Sequence, residues 1–94
     1  VADQAYRLSL APAARALTEA PPVGLPLPVA TAVGEFITRP LLDRPRIVGK
    51  PLARELAGYH SARRGAYRVV YRIDEQTQTV YVVRIDHRAD VYHV

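Results

Sequence analysis

Twelve arginines and a single lysine, Lys50, make up the basic side chains of this 94-residue chain. The planar guanidinium fork grips phosphate or carboxylate through paired hydrogen bonds, where lysine offers only a point charge. The chemistry these residues suit is therefore the holding of an anion. Their placement says more than their number. Residues 50–72 hold Lys50, Arg54, Arg63, Arg64, Arg68 and Arg72 against Glu55 alone, a net of +5. Residues 1–47 hold five basic and four acidic side chains, and residues 73–94 set Arg84 and Arg88 against Asp74, Glu75, Asp86 and Asp90. A GC-rich coding sequence raises arginine throughout a protein, but it does not gather the excess into one stretch.

The elements that must position these groups follow from periodicity. Tyr6 to Leu10 alternates apolar and polar, as a half-buried strand does. Pro12 to Ala20 is alanine-rich and helix-prone, with Pro12 suited to a first helical turn, until Pro21-Pro22 ends it. Pro28 to Ile37 predicts a second helix, with Val29, Val33, Phe36 and Ile37 on one face. Arg39-Pro40 through Pro45 reads as a loop rich in helix breakers. Gly49-Lys50-Pro51-Leu52 leads on to Leu56, and Gly58 marks a turn. Tyr59 to Arg64, Ala66 to Ile73 and Thr79 to Asp86 then read as three strands, the last two joined by the polar turn Asp74 to Gln78. The fold class expected is α+β: an N-terminal strand and a two-helix segment packed on a twisted antiparallel sheet, all in one domain over residues 1–94. At this length the core is thin.

Composition excludes several classes of function. With no cysteine, disulfide frameworks, zinc knuckles and thiol nucleophiles are ruled out. The longest uncharged run, Ala20 to Gly34, is fifteen residues and carries four prolines, too short and broken to span a bilayer. The expectation is a soluble, cytoplasmic protein with no membrane partner.

Alternation along Ala66–Ile73 puts Tyr67, Val69, Tyr71 and Ile73 on one face and Arg68, Val70 and Arg72 on the other. The first set suits a core. Across the hairpin, Arg63 or Arg64, depending on parity, falls beside Arg68. Like charges so placed cost stability unless an anion neutralises them.

The run Arg63-x-Gly65-x-Tyr67-Arg68-Val69-Val70-Tyr71 resembles the central hairpin motif of the RelE/ParE toxin superfamily. Gly49-Lys50-Pro51-Leu52 ahead of Leu56-Ala57-Gly58, and the close His87-Arg88-Ala89-Asp90-Val91-Tyr92, resemble its RelE branch. The likeness covers residues 47–94 well; earlier, the strand–helix–helix order and Val33–Ile37 agree. Members are toxins of bacterial toxin–antitoxin pairs. RelE-type toxins cut mRNA in the ribosomal A site, and ParE-type toxins poison DNA gyrase. The resemblance implies that Arg68 holds the scissile phosphate, that Arg88 acts on the leaving group or stabilises charge, and that Tyr92 stacks on or orients the nucleotide. It implies no cofactor and no metal, and as partners a cognate antitoxin, the ribosome and mRNA.

Cleavage of RNA by its own 2′-hydroxyl requires that hydroxyl deprotonated, a phosphorane stabilised and the 5′-oxygen protonated. Arginines suit the second task and are poor bases. Some relatives carry lysines in the strand before the arginine motif, but here it reads Tyr59-His60-Ser61-Ala62-Arg63-Arg64. Candidates for the base are then His60, His87 and Tyr92, with Glu55 as an outsider, since histidine titrates near neutrality. Lys50, Arg63, Arg64 and Arg72 are candidate RNA-backbone contacts. Three functions are compatible with this reading: a ribosome-dependent mRNA endonuclease, a ParE-type gyrase inhibitor, or a catalytically weakened toxin-like antitoxin partner and co-repressor. An antitoxin is expected to cover the arginines with an acidic or amphipathic segment, and exposed apolar surface on Val33–Ile37 is expected to serve it too.

Overall fold

The computed structural model describes residues 6–12, 14 and 26–87. Among the described residues, five strands form one sheet in the order β1-β5-β4-β3-β2. They are β1 (Arg7–Leu10), β2 (Lys50–Pro51), β3 (Tyr59–Arg64), β4 (Tyr67–Asp74) and β5 (Thr79–His87). The expected α+β architecture is present, with two refinements. The sheet is antiparallel except for β1, which runs parallel to β5, and Lys50–Pro51 adds a short edge strand that the sequence reading left as a lead-in. Pro51 is admissible there because an edge position needs no inward-directed N–H from every residue.

Among the described residues, the helices with defined bounds are α1 (Leu27–Thr38), α2 (Pro40–Asp43) and α3 (Pro45–Val48), and Pro12 and Ala14 are helical as well. The segment expected to be a loop because of Pro40 and Pro45 is thus two helical turns. Each proline stands at the first helical position, where its missing N–H costs nothing and its fixed φ favours the turn. The expected first helix, Pro12 to Ala20, lies largely outside the described residues. Val33 and Ile37 of α1 are 2% and 3% exposed and belong to the core, which corrects the expectation that they offer apolar surface to a partner. Helical spacing of four turns both side chains onto the sheet.

Among the described residues the core is Ala14, Val33, Ile37, Leu41 and Leu42 from helical positions against Ala62, Val69, Tyr71, Val80, Val82 and Ile85 from the strands. Among the described residues every helix lies on this one face. At roughly 1.5–3 kcal/mol per fully buried large side chain, these few contacts carry most of the folding energy of a short chain.

Tyr71 is the largest fully buried side chain. Its hydroxyl donates a 2.6 Å hydrogen bond to the carbonyl of Pro45, which joins the centre of the sheet to the α3 corner. Burial pushes the phenol up to about 12, so it remains a donor across the physiological range. Gly49 makes room for it. A Cβ there would collide with the Tyr71 hydroxyl and lie 2.9 Å from the Ser61 carbonyl oxygen. A second tie is an exposed clamp: Arg46 Nη2 lies 2.7 Å from Glu75 Oε2, and the Tyr6 hydroxyl donates to Glu75 Oε1 at 2.7 Å. The hydrogen bonds from Tyr6 and Arg46 hold the Glu75 carboxyl below its usual range.

Two turns set the register. Gly65, at φ 61°, takes the first central position of the two-residue turn between β3 and β4. Only glycine enters that conformation without strain, and a two-residue turn leaves no freedom in the pairing that follows. Between β4 and β5, the Asp74 carboxylate accepts from the backbone N–H groups of Gln76 and Thr77 at 3.0 and 3.3 Å.

Gly49→Ala should lower stability by about 1–3 kcal/mol through overpacking, and Tyr71→Phe by a similar ~1–3 kcal/mol by stranding the Pro45 carbonyl. Because the alanine collides with the very hydroxyl that phenylalanine lacks, the double variant should be more stable than the two losses added together. Urea unfolding of the four proteins measures this. Strict additivity would mean that the Ser61 carbonyl alone excludes the methyl.

Candidate functional site

The face of the sheet turned away from the helices is built by alternation and pairing. Tyr71 and Val69 point into the core, so Arg68, Val70 and Arg72 point the other way, as the sequence predicted. The register then decides between the two adjacent arginines of β3. Arg63 pairs directly with Arg68, whereas Arg64 pairs with Tyr67 and turns to the helix side, beside Glu35 and Arg39. Lys50 pairs with Ser61 and so joins the Arg63 face.

β5 completes the surface by an irregularity. Arg72 pairs with Tyr81 but Val70 pairs with Arg84, so one residue of β5 is extra between Val70 and Tyr71. This bulge keeps Tyr81, Arg84 and Asp86 on one face although simple alternation would send Arg84 toward the core. Arg84 Nη2 lies 3.0 Å from Asp86 Oδ2, and Asp86 pairs with Arg68. Sequence reasoning missed Arg84 and Asp86 as members of this surface. The available signal was the improbability of a buried arginine between Val82 and Ile85.

Arg63 and Arg68 border a cleft of about 490 Å³, with Lys50, Ser61, Gly49 and Leu52 on its other walls. Among the described residues Arg63, Arg68 and Lys50 form no ion pair. Three cations at one end of an open sheet, with a neutral hydroxyl between them, make a site for a phosphate-sized anion.

The other sequence candidates lie elsewhere. His60 shares the core-side parity of Ala62 and stacks on Tyr71, with ring centroids 5.5 Å apart. Its Nδ1 is buried without a hydrogen-bond partner among the described residues, and desolvation, helped by the nearby Arg46 charge, lowers its pKa. The structure thus puts His60 on the opposite face from Arg68. His87, at the end of β5, sets its ring edge-on to Tyr67 at 5.1 Å, also on the core-side parity. Glu55 is exposed in the short 3₁₀ turn Arg54–Leu56. Arg88 and Tyr92 lie outside the described residues. No helix among the described residues is long and apolar enough to cross a membrane.

A small α+β domain with helices on one side of a five-stranded sheet and an arginine-lined open face on the other defines a class, and comparison places the chain in it. Residues 2–92 match the model of the ParE toxin of type II toxin–antitoxin systems. The chain is 43% identical over 93 residues to Toxin RelE of Mycobacterium tuberculosis, covering 98% of this chain and 91% of that protein. It is 56% identical over 68 residues to Toxin RelG of the same organism, 72% of this chain and 78% of that one. The toxin–antitoxin complex RelBE2 from M. tuberculosis superposes with a TM-score of 0.81 at 45% identity, covering 90% of this chain and all of that one. Escherichia coli RelE in the free state shares the fold, at a TM-score of 0.67 and 24% identity over 96% of this chain and 93% of that one. The chain belongs to the RelE/ParE toxin superfamily and is a type II toxin of the RelE family.

Two outcomes follow from the site's electrostatics. Facing like charges across a strand pair cost about 0.2–1 kcal/mol, so Arg63→Ala should raise the melting temperature in low salt while weakening the binding of an RNA-like polyanion. Calorimetry at ~0.01 and ~1 M salt reads the first effect, which should vanish at the higher concentration. His60 gives an acid limb: with its folded pKa below the unfolded ~6.5, its contribution is complete above pH 6.5 and is lost as the pH falls toward the folded value. His60→Phe should flatten that limb in a pH series of melting curves.

Proposed function

We propose that this toxin is a ribosome-dependent, metal-independent endoribonuclease that cuts mRNA in the A site and is held inactive by a cognate antitoxin. The observation that supports the reading most is the Arg63–Arg68 pair: two guanidiniums in direct cross-strand register with no carboxylate between them. Such an arrangement is unfavourable for the protein alone and favourable for a doubly contacted phosphate. The antitoxin partner is inferred from the RelBE2 relative, whose structure is a toxin–antitoxin complex.

In this mechanism the 2′-oxygen attacks the adjacent phosphorus, the bond to the 5′-oxygen breaks, and the products are a cyclic phosphate and a 5′-hydroxyl. Arg68 binds the non-bridging oxygens, and its charge counts for most in the phosphorane, where negative charge peaks. Arg63 and Lys50 fix the flanking backbone. Arg88 offsets the charge that develops on the leaving oxygen, and Tyr92 orients the nucleotide. With His60 on the far side of the sheet, we assign alignment of the attacking hydroxyl to Tyr92 and to the ribosome, which would supply by positioning what the described open face lacks in acid–base groups.

Purified toxin mixed with programmed ribosomes tests this, with mRNA ends mapped after a single turnover. Cleavage is expected in the A site, and Arg68→Ala should slow it by about 10²–10³, the usual loss when one charge-stabilising donor is removed. Arg88→Ala should slow it comparably, and both variants should keep the native melting temperature within a few degrees. Intact mRNA together with gyrase-trapped DNA breaks would sink the reading and favour a ParE-type activity.

A further inference from the structure

Four residues along β4 from Arg68, about 13 Å at the rise of a strand, the open face changes character. There Arg72 pairs with Tyr59 of β3 on one side and with Tyr81 of β5 on the other. Its guanidinium carbon lies 4.5 Å from the centroid of the Tyr81 ring. The row therefore runs aromatic, cation, aromatic across three strands, on the face away from the helices. Two other tyrosines use their hydroxyls within the molecule, Tyr6 on exposed Glu75 and Tyr71 on the buried Pro45 carbonyl. Tyr59 and Tyr81 form no hydrogen bond from theirs among the described residues, and both are only partly buried. Neither core packing nor hydrogen bonding accounts for two aromatic side chains flanking a guanidinium on a polar face.

We propose that Tyr59, Arg72 and Tyr81 form a stacking subsite for a nucleobase of single-stranded RNA, adjoining the phosphate site at Arg63 and Arg68. Flat phenol and guanidinium faces accept any base, because every base has a π surface, and arginine adds attraction for the passing backbone. An acidic peptide would satisfy Arg72 but would leave both rings unused. The subsite rests on reading the open face as an RNA surface, and extends it from phosphate to base. It also gives this face a way to fix where along the strand the scissile phosphate falls, since phosphate contacts alone carry no register.

The test uses the full chain and a short 2′-O-methyl oligouridylate, which cannot be cleaved, beside the same oligomer with a single abasic residue moved along it. Fluorescence anisotropy should show one abasic position that weakens binding by about 5- to 100-fold. Tyr81→Leu and Tyr59→Leu should lose a similar factor and become indifferent to that position, and Tyr81→Phe should behave as the native protein. Equal binding of intact and abasic oligomers, no binding of either, or native affinity in both leucine variants overturns the subsite. So does a leucine variant that loses polyglutamate binding as severely as RNA binding, which would mark an acidic-protein contact instead. The nuclease reading fails separately: a chain that binds with abasic sensitivity but leaves A-site mRNA intact keeps the subsite and loses the nuclease. Cleavage by the leucine variants with native KM does the reverse.

Discussion

A buried phenol bonded to a buried carbonyl holds this protein's surface in place. Tyr71 sits at the centre of β4 with its hydroxyl on Pro45, and the space it needs is left by Gly49. A strand has only two ways to face, and a shift of one residue would exchange them. Fixing Tyr71 toward the helices therefore fixes Arg68, Val70 and Arg72 toward solvent. The alternative parity would bury two guanidiniums and strand a phenol, each without a partner, at a cost far above the marginal stability of a small domain. One neutral hydrogen bond thus determines where the charge goes.

The charge it exposes is not at rest. Arg63 faces Arg68, and Asp86, the carboxylate paired with Arg68 on β5, is already engaged by Arg84. Exposed like charges cost little each, and salt screens them, so the fold tolerates the arrangement. The same repulsion becomes favourable binding once a polyanion lies across the face. The ligand then supplies the counter-charge that the protein omits. The Arg46–Glu75–Tyr6 clamp uses arginine in the opposite sense: fully paired, on the rim, tying a helix to a turn.

Much of this was legible in the residues. Alternation in Ala66–Ile73 identified the core face, and the same alternation on Tyr59–Arg64 placed one of the adjacent arginines beside Arg68; the two-residue turn Gly65-Ala66 emerged only with the pairing. What alternation could not decide was which one, because that depends on whether the turn pairs Arg64 or Arg63 with Tyr67. Proline misled at Pro40 and Pro45, since the residue that stops a helix also starts one, and local propensity does not say which. The bulge in β5 left no local mark, so Arg84, Asp86 and Tyr81 joined the surface only once pairing across strands was known. His60 was drawn toward chemistry by its residue type, and its strand parity carried it to the other side of the sheet.

An arginine surface stabilises charge but does not move protons, and that asymmetry shapes what this toxin does. The open-face positions of β3 are Tyr59, Ser61 and Arg63, so the strand that supplies lysines in some relatives offers here an aromatic ring, a hydroxyl and a permanent cation. For the RNA cleavage we propose, a site of this kind would lower the barrier only once the RNA had been bent into line and its 2′-proton drawn off. On free RNA the guanidiniums would bind the ground state and the transition state almost equally, which tightens association without accelerating the reaction. In the reading we propose, the ribosome already holds the codon, and the same contacts would be felt most strongly as the phosphorane forms. The dependence on a large partner that we propose would then follow from the residue types on one sheet face, because a described surface with cations but no proton acceptor must borrow alignment from whatever holds its substrate.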